Sequence, residues 1–106
     1  MELLSRKEEL ILLAICKLGD NAYGITIRDE LEDTIGVTWL FGSIYTPLNQ
    51  LYDKGLITKI EGETTSERGG RPKVYFKLTP GGKEELIRVK ELNTSLWTEV
   101  PPITID

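Results

Sequence analysis

Residues 56–79 read LITKIEGETTSERGGRPKVYFKLT, and how this stretch folds back on itself decides the architecture. Both of its ends alternate apolar and polar residues, the pattern of a half-buried strand. In Leu56 to Thr64, Leu56, Thr58 and Ile60 share one side and Ile57, Lys59 and Glu61 the other. In Lys73 to Thr79, Val74, Phe76 and Leu78 are expected inward and Lys73, Tyr75 and Lys77 outward. The polar stretch Thr65 to Pro72, with Gly69 and Gly70, is too long for a two-residue turn, so the whole is expected to be a hairpin with an extended tip. The tip is electrostatically unusual. The 106-residue chain has 13 Lys and Arg against 17 Asp and Glu, a net charge of -4, yet residues 66–79 hold Arg68, Arg71, Lys73 and Lys77 against Glu67 alone. Screening confines a charge to roughly 8–10 Å at physiological salt, so a local basic finger can meet a polyanion that the chain as a whole would repel.

Upstream of the hairpin the periodicity is helical. Ser43 to Lys54, closed by Gly55, places Ile44, Leu48 and Leu51 on one face with Tyr52 at its edge. The opposite face is Thr46, Asn49, Gln50 and Asp53, with Ser43 at the exposed start. Before it, Asp20 or Asn21 can cap a helix from Ala22 to Thr34 that turns Ile27, Leu31 and Tyr23 inward and ends at Gly36. Asp29, Glu30, Glu32 and Asp33 crowd its last turns, where the helix dipole favours cations, and are read as a solvated face turned away from any polyanion. The first helix runs from Arg6 to Leu18, opened by a capping box of Ser5 and Glu8. Its centre, Leu10 to Cys16, is apolar on every face for two turns. Such a helix needs cover on more than one side, and in so small a domain a second copy of the chain is expected to supply it. Cys16, inside that run, is expected to be a buried, unreactive thiol.

Downstream, Thr79 caps a fourth helix with Pro80 at its first position, where a missing N–H costs nothing. It is expected to reach Glu99, with Leu86, Val89, Leu92, Leu96 and Trp97 as its apolar face, and Pro101-Pro102 stops it. The domain reading is therefore a unit over residues 1–79, a dimerisation helix over 80–100 and a tail over 101–106. Leu10 and Leu13 of the first helix are expected to join the fourth in the dimer contact.

Composition removes several classes of function. The chain has no His and one Cys, which excludes an internal disulfide and makes zinc sites and His-based nucleophile pairs unexpected. No carboxylate pairs with a candidate acid, base or ligand at a telling spacing, so no enzyme, metal or cofactor is expected. The longest apolar run, Leu10 to Cys16, falls far short of the roughly 20 residues of a membrane helix. With no signal-peptide pattern at the N-terminus, a soluble cytoplasmic protein is expected.

Three helices followed by a two-stranded hairpin form a mostly helical α+β chain in the order of a winged helix-turn-helix. There the third helix enters the major groove and the hairpin, the wing, reaches the adjacent backbone or minor groove. Asn and Gln pair with adenine edges and Ser and Thr contact bases or phosphates, so Ser43, Thr46, Asn49 and Gln50 are candidate readers. Lys54, the single cation of that helix, and Arg68, Arg71 and Lys73 of the wing would neutralise phosphates of double-stranded DNA.

GSIYTPLNQLYDKGLI at residues 42–57 and GGRPKVYFKLTPGGKEEL at residues 69–86 together resemble the PadR-type transcriptional regulators. Their helix start G-S-[VI]-Y, strand entry G-L-I, G-R-rich wing and Y-x-L-T-x-x-G helix entry recur here. ILLAICKLGDNAYGITIRDELE at residues 11–32 is similar to the family's first two helices, with Tyr23-Gly24 at the matching place. The resemblance implies a homodimeric DNA-binding regulator, usually a repressor, on a pseudo-palindromic operator. It also implies a C-terminal helix that pairs with the partner's helices, and a response to small aromatic ligands. Ser43 and Tyr45 match the helix-start motif, and Arg71 with Lys73 the basic wing. Two features depart from the pattern. Phe41 stands where the family commonly has proline before Gly-Ser, and the proline after the tyrosine comes one place late, at Pro47, so the reading helix is expected to start no earlier than Ser43. Few residues follow the fourth helix, so a separate effector domain is not expected and any effector would bind at the dimer interface, with Trp97 as its candidate contact. Trp39 is expected to pack in the core or interface, and Tyr75 against the hairpin flank. The alternative is a winged domain that serves protein assembly without productive DNA binding, which the net acidity would suit.

Overall fold

The computed structural model describes residues 2–62 and 73–105. The elements are α1 (Arg6–Leu18), a single 3-10 turn (Gly19–Asn21), α2 (Gly24–Ile35), α3 (Phe41–Asp53), β1 (Ile57–Glu61), β2 (Val74–Leu78) and α4 (Pro80–Trp97). This is the expected winged arrangement of four helices and a two-stranded antiparallel sheet. The Arg68 and Arg71 of the wing tip lie outside the described residues.

α1 is the central helix, and its capping box forms as the sequence dictates. Glu8 N–H donates to Ser5 Oγ at 3.1 Å and Ser5 N–H donates to Glu8 Oε1 at 2.9 Å. Ile11, Leu12 and Ile15 of α1 meet Ile27 and Leu31 of α2, Ile44, Leu48 and Leu51 of α3, and Ile57 and Phe76 of the hairpin in one core. Each such side chain contributes on the order of 1.5–3 kcal/mol by leaving water. Leu13 and Cys16 are left on the exposed side of the same helix, so within the single chain the thiol is exposed and not buried as expected.

α2 starts two residues later than expected, and neither Asp20 nor Asn21 caps it. Both are taken up by the 3-10 turn, and Ala22 adopts an extended conformation whose carbonyl accepts the Phe76 N–H at 2.8 Å, a ladder bond to β2 that a helical Ala22 could not make. Thr26 Oγ1 instead accepts the Tyr23 N–H at 3.0 Å at the helix entry.

α3 starts two residues before Ser43 and runs through Pro47. Its first turn is tightly wound, with Ser43 N–H donating to Leu40 O at 2.9 Å, three residues back. Pro47 removes the bond to the Ser43 carbonyl, yet its ring is buried with Leu48 and Leu51, and that apolar burial offsets the loss.

The hairpin pairs Ile57 with Leu78, Lys59 with Phe76 and Glu61 with Val74. Directly paired residues share a face, so the core side of β1 is Ile57, Lys59 and Glu61, while Ile60 is exposed. β2 turns Phe76 inward as expected, with Val74 and Leu78 half-buried beside it.

α4 is anchored at its start. Thr79 N–H donates to Leu56 O at 3.0 Å, Thr79 Oγ1 donates to Gly55 O at 2.7 Å, and Gly82 N–H donates to Thr79 Oγ1 at 3.0 Å. The approach is so close that a Cβ on Gly82 would lie 2.1 Å from the Leu56 carbonyl oxygen. Beyond this first turn the helix runs over the open side of α1.

Candidate nucleic-acid interface

α3 presents its polar side as a ridge. At 100° per residue Gly42, Thr46, Asn49 and Asp53 line up opposite the core, and all four are exposed. Gln50 is exposed on one flank beside the half-buried Ser43; Tyr45 and Tyr52 occupy the other. The candidate readers Thr46, Asn49 and Gln50 thus stand on one accessible surface.

Neighbouring elements complete that surface on the tyrosine flank. The start of α2 approaches Tyr45 so closely that a Cβ on Gly24 would be 2.6 Å from the Tyr45 hydroxyl, and this fixes the packing of α2 against α3. Tyr23, just before Gly24, meets Tyr75 of β2 edge to face, ring centroids 5.4 Å apart, so Tyr75 packs on the hairpin flank as expected. Lys73 places its ammonium 4.4 Å from the Tyr23 ring centre, a contact that holds a wing cation beside the α2 start. From β1, Lys59 reaches over the Tyr52 ring at 4.3 Å and donates to Asn49 Oδ1 at 3.2 Å. α3, the start of α2 and the hairpin are therefore linked by five cross-element contacts.

Lys59 is the residue that sequence reasoning missed. Alternation gave two sides of β1 without saying which was inward, and only the register with Phe76 brings Lys59 onto the α3 side. Arg28 was missed as well. Its guanidinium stacks 4.5 Å from the Phe41 ring centre at the entrance of α3, and its Nε has no hydrogen-bond partner among the described residues.

Lys54 is placed differently from the other candidates. Its ammonium donates to Glu8 Oε2 at 2.7 Å, and Glu2 lies 3.8 Å away. Burial pushes the Glu8 carboxyl up, but the Lys54 ammonium and Ser5 outweigh it and hold the group below its ordinary value. This pair fastens the C-terminal end of α3 to the start of α1, and its charge is compensated within the chain. The acids of α2 are partly compensated too, Glu30 by Lys17 at 3.5 Å and Asp29 by Arg28 at 3.6 Å.

A second feature lies on the α1–α4 side. A groove of about 740 Å³ is lined by Leu13 and Cys16 of α1 and by Leu86, Val89, Asn93 and Trp97 of α4. Asn93 donates to Glu9 Oε1 at 3.2 Å across it. Leu10, Leu86 and Val89 are half-buried, whereas Leu13, Leu92, Leu96 and Trp97 are exposed. Trp39 is elsewhere, packed on the core with the Lys7 ammonium 5.2 Å from its ring centre.

The family model described as "Transcriptional regulator PadR-like family" matches residues 12–88, from α1 through the first half of α4. This chain belongs to the PadR-like family of transcriptional regulators. Solved structures agree. A complex structure of hsRosR aligns at 26% identity and TM-score 0.72, over 92% of this chain and 77% of that one. A PadR-like transcription factor from Bacteroides fragilis aligns at 28% identity and TM-score 0.66, over 86% and 89%. A PadR family transcription regulator from Clostridium difficile R20291 shares the fold at 24% identity and TM-score 0.71, over 90% and 97%. No curated protein sequence matches. Family membership makes the chain a DNA-binding regulator of transcription, and the polar ridge of α3 with its flanking lysines is where its geometry suits that role. No described helix is long and apolar enough to cross a membrane.

Proposed function

We propose that this PadR-family chain acts in the cytoplasm as a homodimeric repressor on a pseudo-palindromic operator. Thr46, Asn49 and Gln50, with Ser43 and Tyr45 at the helix start, read bases, while Arg68, Arg71, Lys73 and Lys59 neutralise phosphates. The observation that supports this reading is the exposed polar ridge of α3, with Lys59 against Asn49 and with Tyr45 packed on the start of α2, where Tyr23 holds Lys73. Lys54 serves the same surface indirectly, by fixing the end of α3 against α1 through Glu8. The dimer forms through α4 and the open side of α1, where Leu13, Leu86, Val89, Leu92, Leu96 and Trp97 gain cover. A flat aromatic ligand that stacks on Trp97 in that groove releases the operator.

The deciding experiment is fluorescence anisotropy on the DNA upstream of the gene across a salt series, with the mass in solution measured in parallel. With about three phosphate contacts per protomer, log K falls against log salt with a slope of roughly -5. Arg71→Glu weakens binding to every duplex; Asn49→Ala relaxes preference at one base pair. A slope near zero, with a protein partner captured at high salt, would instead favour an assembly module, the role that the net charge of -4 suits.

A further inference from the structure

Gly42 is a glycine that neither its backbone conformation nor a close neighbour among the described residues requires. Gly36 and Gly55 have φ of +71° and +76°, which other residues avoid, and a Cβ on Gly24 or Gly82 would collide with a neighbour. Gly42 has no positive φ, and a Cβ there would meet nothing within 4 Å among the described residues. It is the second residue of α3, where alanine would restrict the unfolded chain more and favour the helix. Its position is telling. Gly42 tops the outward ridge, one turn before Thr46, whose hydroxyl donates to the Gly42 carbonyl at 3.4 Å, and two turns before Asn49. The residue before the helix, Leu40, is 80% exposed, an apolar side chain left in water at the entrance of α3, two positions before Gly42.

These two observations have one explanation outside the chain. A recognition helix enters the major groove with its N-terminal residues nearest the base edges. A missing side chain on the ridge lowers the helix surface there and lets the backbone approach the bases. The apolar group that the major groove offers is the thymine C5 methyl. We propose that the first turn of α3 is the part that sits deepest in the groove, with Gly42 as the gap that permits close approach and Leu40 in contact with a thymine methyl. The inference rests on the DNA-binding reading above and adds to it a base type and two residues that direct readout requires.

The test compares wild-type protein, Gly42→Ala and Leu40→Ala on three probes: the duplex that wild-type protein selects from randomised DNA, a scrambled duplex, and the selected duplex with single thymines replaced by deoxyuridine. Gly42→Ala is expected to melt at the same temperature as wild type or higher, to lose about tenfold or more on the selected duplex, and to change by less than about threefold on the scrambled one. One uracil replacement is expected to weaken wild type by about three- to fivefold and to leave Leu40→Ala, which is exposed and folds regardless, unaffected at that position. A Gly42→Ala protein that melts lower, or that keeps full affinity for the selected duplex, overturns the gap. Indifference of wild type to every uracil overturns the methyl contact. If wild type binds all duplexes alike with a steep salt dependence, base readout fails while the DNA-binding reading stands. No binding to any duplex at low salt ends both.

Discussion

α3 and α4 are helices of 13 and 18 residues, yet α3 buries Ile44, Pro47, Leu48 and Leu51 while α4 fully buries Gly82 alone. The shorter helix is positioned by the fold of a single chain, because its apolar side is closed by α1, α2 and the hairpin. The longer one is held at its first turn, by Leu86 against the core and by the Asn93–Glu9 bond, and its Ile87, Leu92, Leu96 and Trp97 are exposed. The difference teaches that the exposed ridge of α3 is fixed by the fold of a single chain, whereas the groove beside α4 is left open by it.

The sharpest way to break this contrast is to charge the uncovered side. Leu13→Glu combined with Trp97→Glu is expected to leave the monomer folded, since both side chains are exposed, and to abolish self-association by a hundredfold or more, on the order of 3 kcal/mol, because two charges would have to be desolvated. Light scattering with circular dichroism reads both outcomes; an intact dimer would mean that another face pairs.

The anchored end of α4 gives the next largest effect. Gly82→Ala drives a Cβ against the Leu56 carbonyl, a backbone atom that cannot turn aside, and is expected to cost about 1–3 kcal/mol in urea unfolding. Unchanged stability would show that α4 is loosely attached along its whole length.

The clasp between α1 and α3 titrates. Because the folded Glu8 carboxyl lies below its ordinary value near 4.5, its contribution is complete above that pH and lost as pH falls through the folded value. Glu8→Gln is expected to cost about 1–2 kcal/mol at pH 7 and to flatten the acid limb of a melting-temperature profile. A variant as acid-sensitive as wild type would place the titration on other carboxylates.

Gly24→Ala should be milder, below about 1 kcal/mol, although the Cβ contact is only 2.6 Å. The atom it meets is the far end of the half-exposed Tyr45, which can swing away. The consequence to look for is altered base preference, since the swing disturbs the tyrosine flank of α3; a loss of stability as large as that of Gly82→Ala would contradict this account.

How much was legible beforehand depended on the range of the forces involved. The limits of α1 could be read from Ser5, Glu8 and Gly19, because a capping box and its closing glycine act within a few residues. The core faces of α2 and α3 followed from the 3.6-residue period. The start of α3 could not be read, because a rule about proline in an isolated helix competes with the burial of Pro47 in the core. The start of α2 was missed because Ala22 is drawn into a bond with Phe76, more than fifty residues away in sequence.

By itself the sequence determined the order of elements, the core residues of α2 and α3 and the family pattern, all of which rest on local propensity and on which side chains leave water. The tertiary structure alone decided which side of β1 faces α3, and so that Lys59 lies against Asn49 and Tyr52. It also decided that Lys54 is tied to Glu8, and that Leu13 and Cys16 remain open beside α4. Each of these depends on the distance between groups far apart in the chain, and alternation or spacing along the sequence carries no information about that distance.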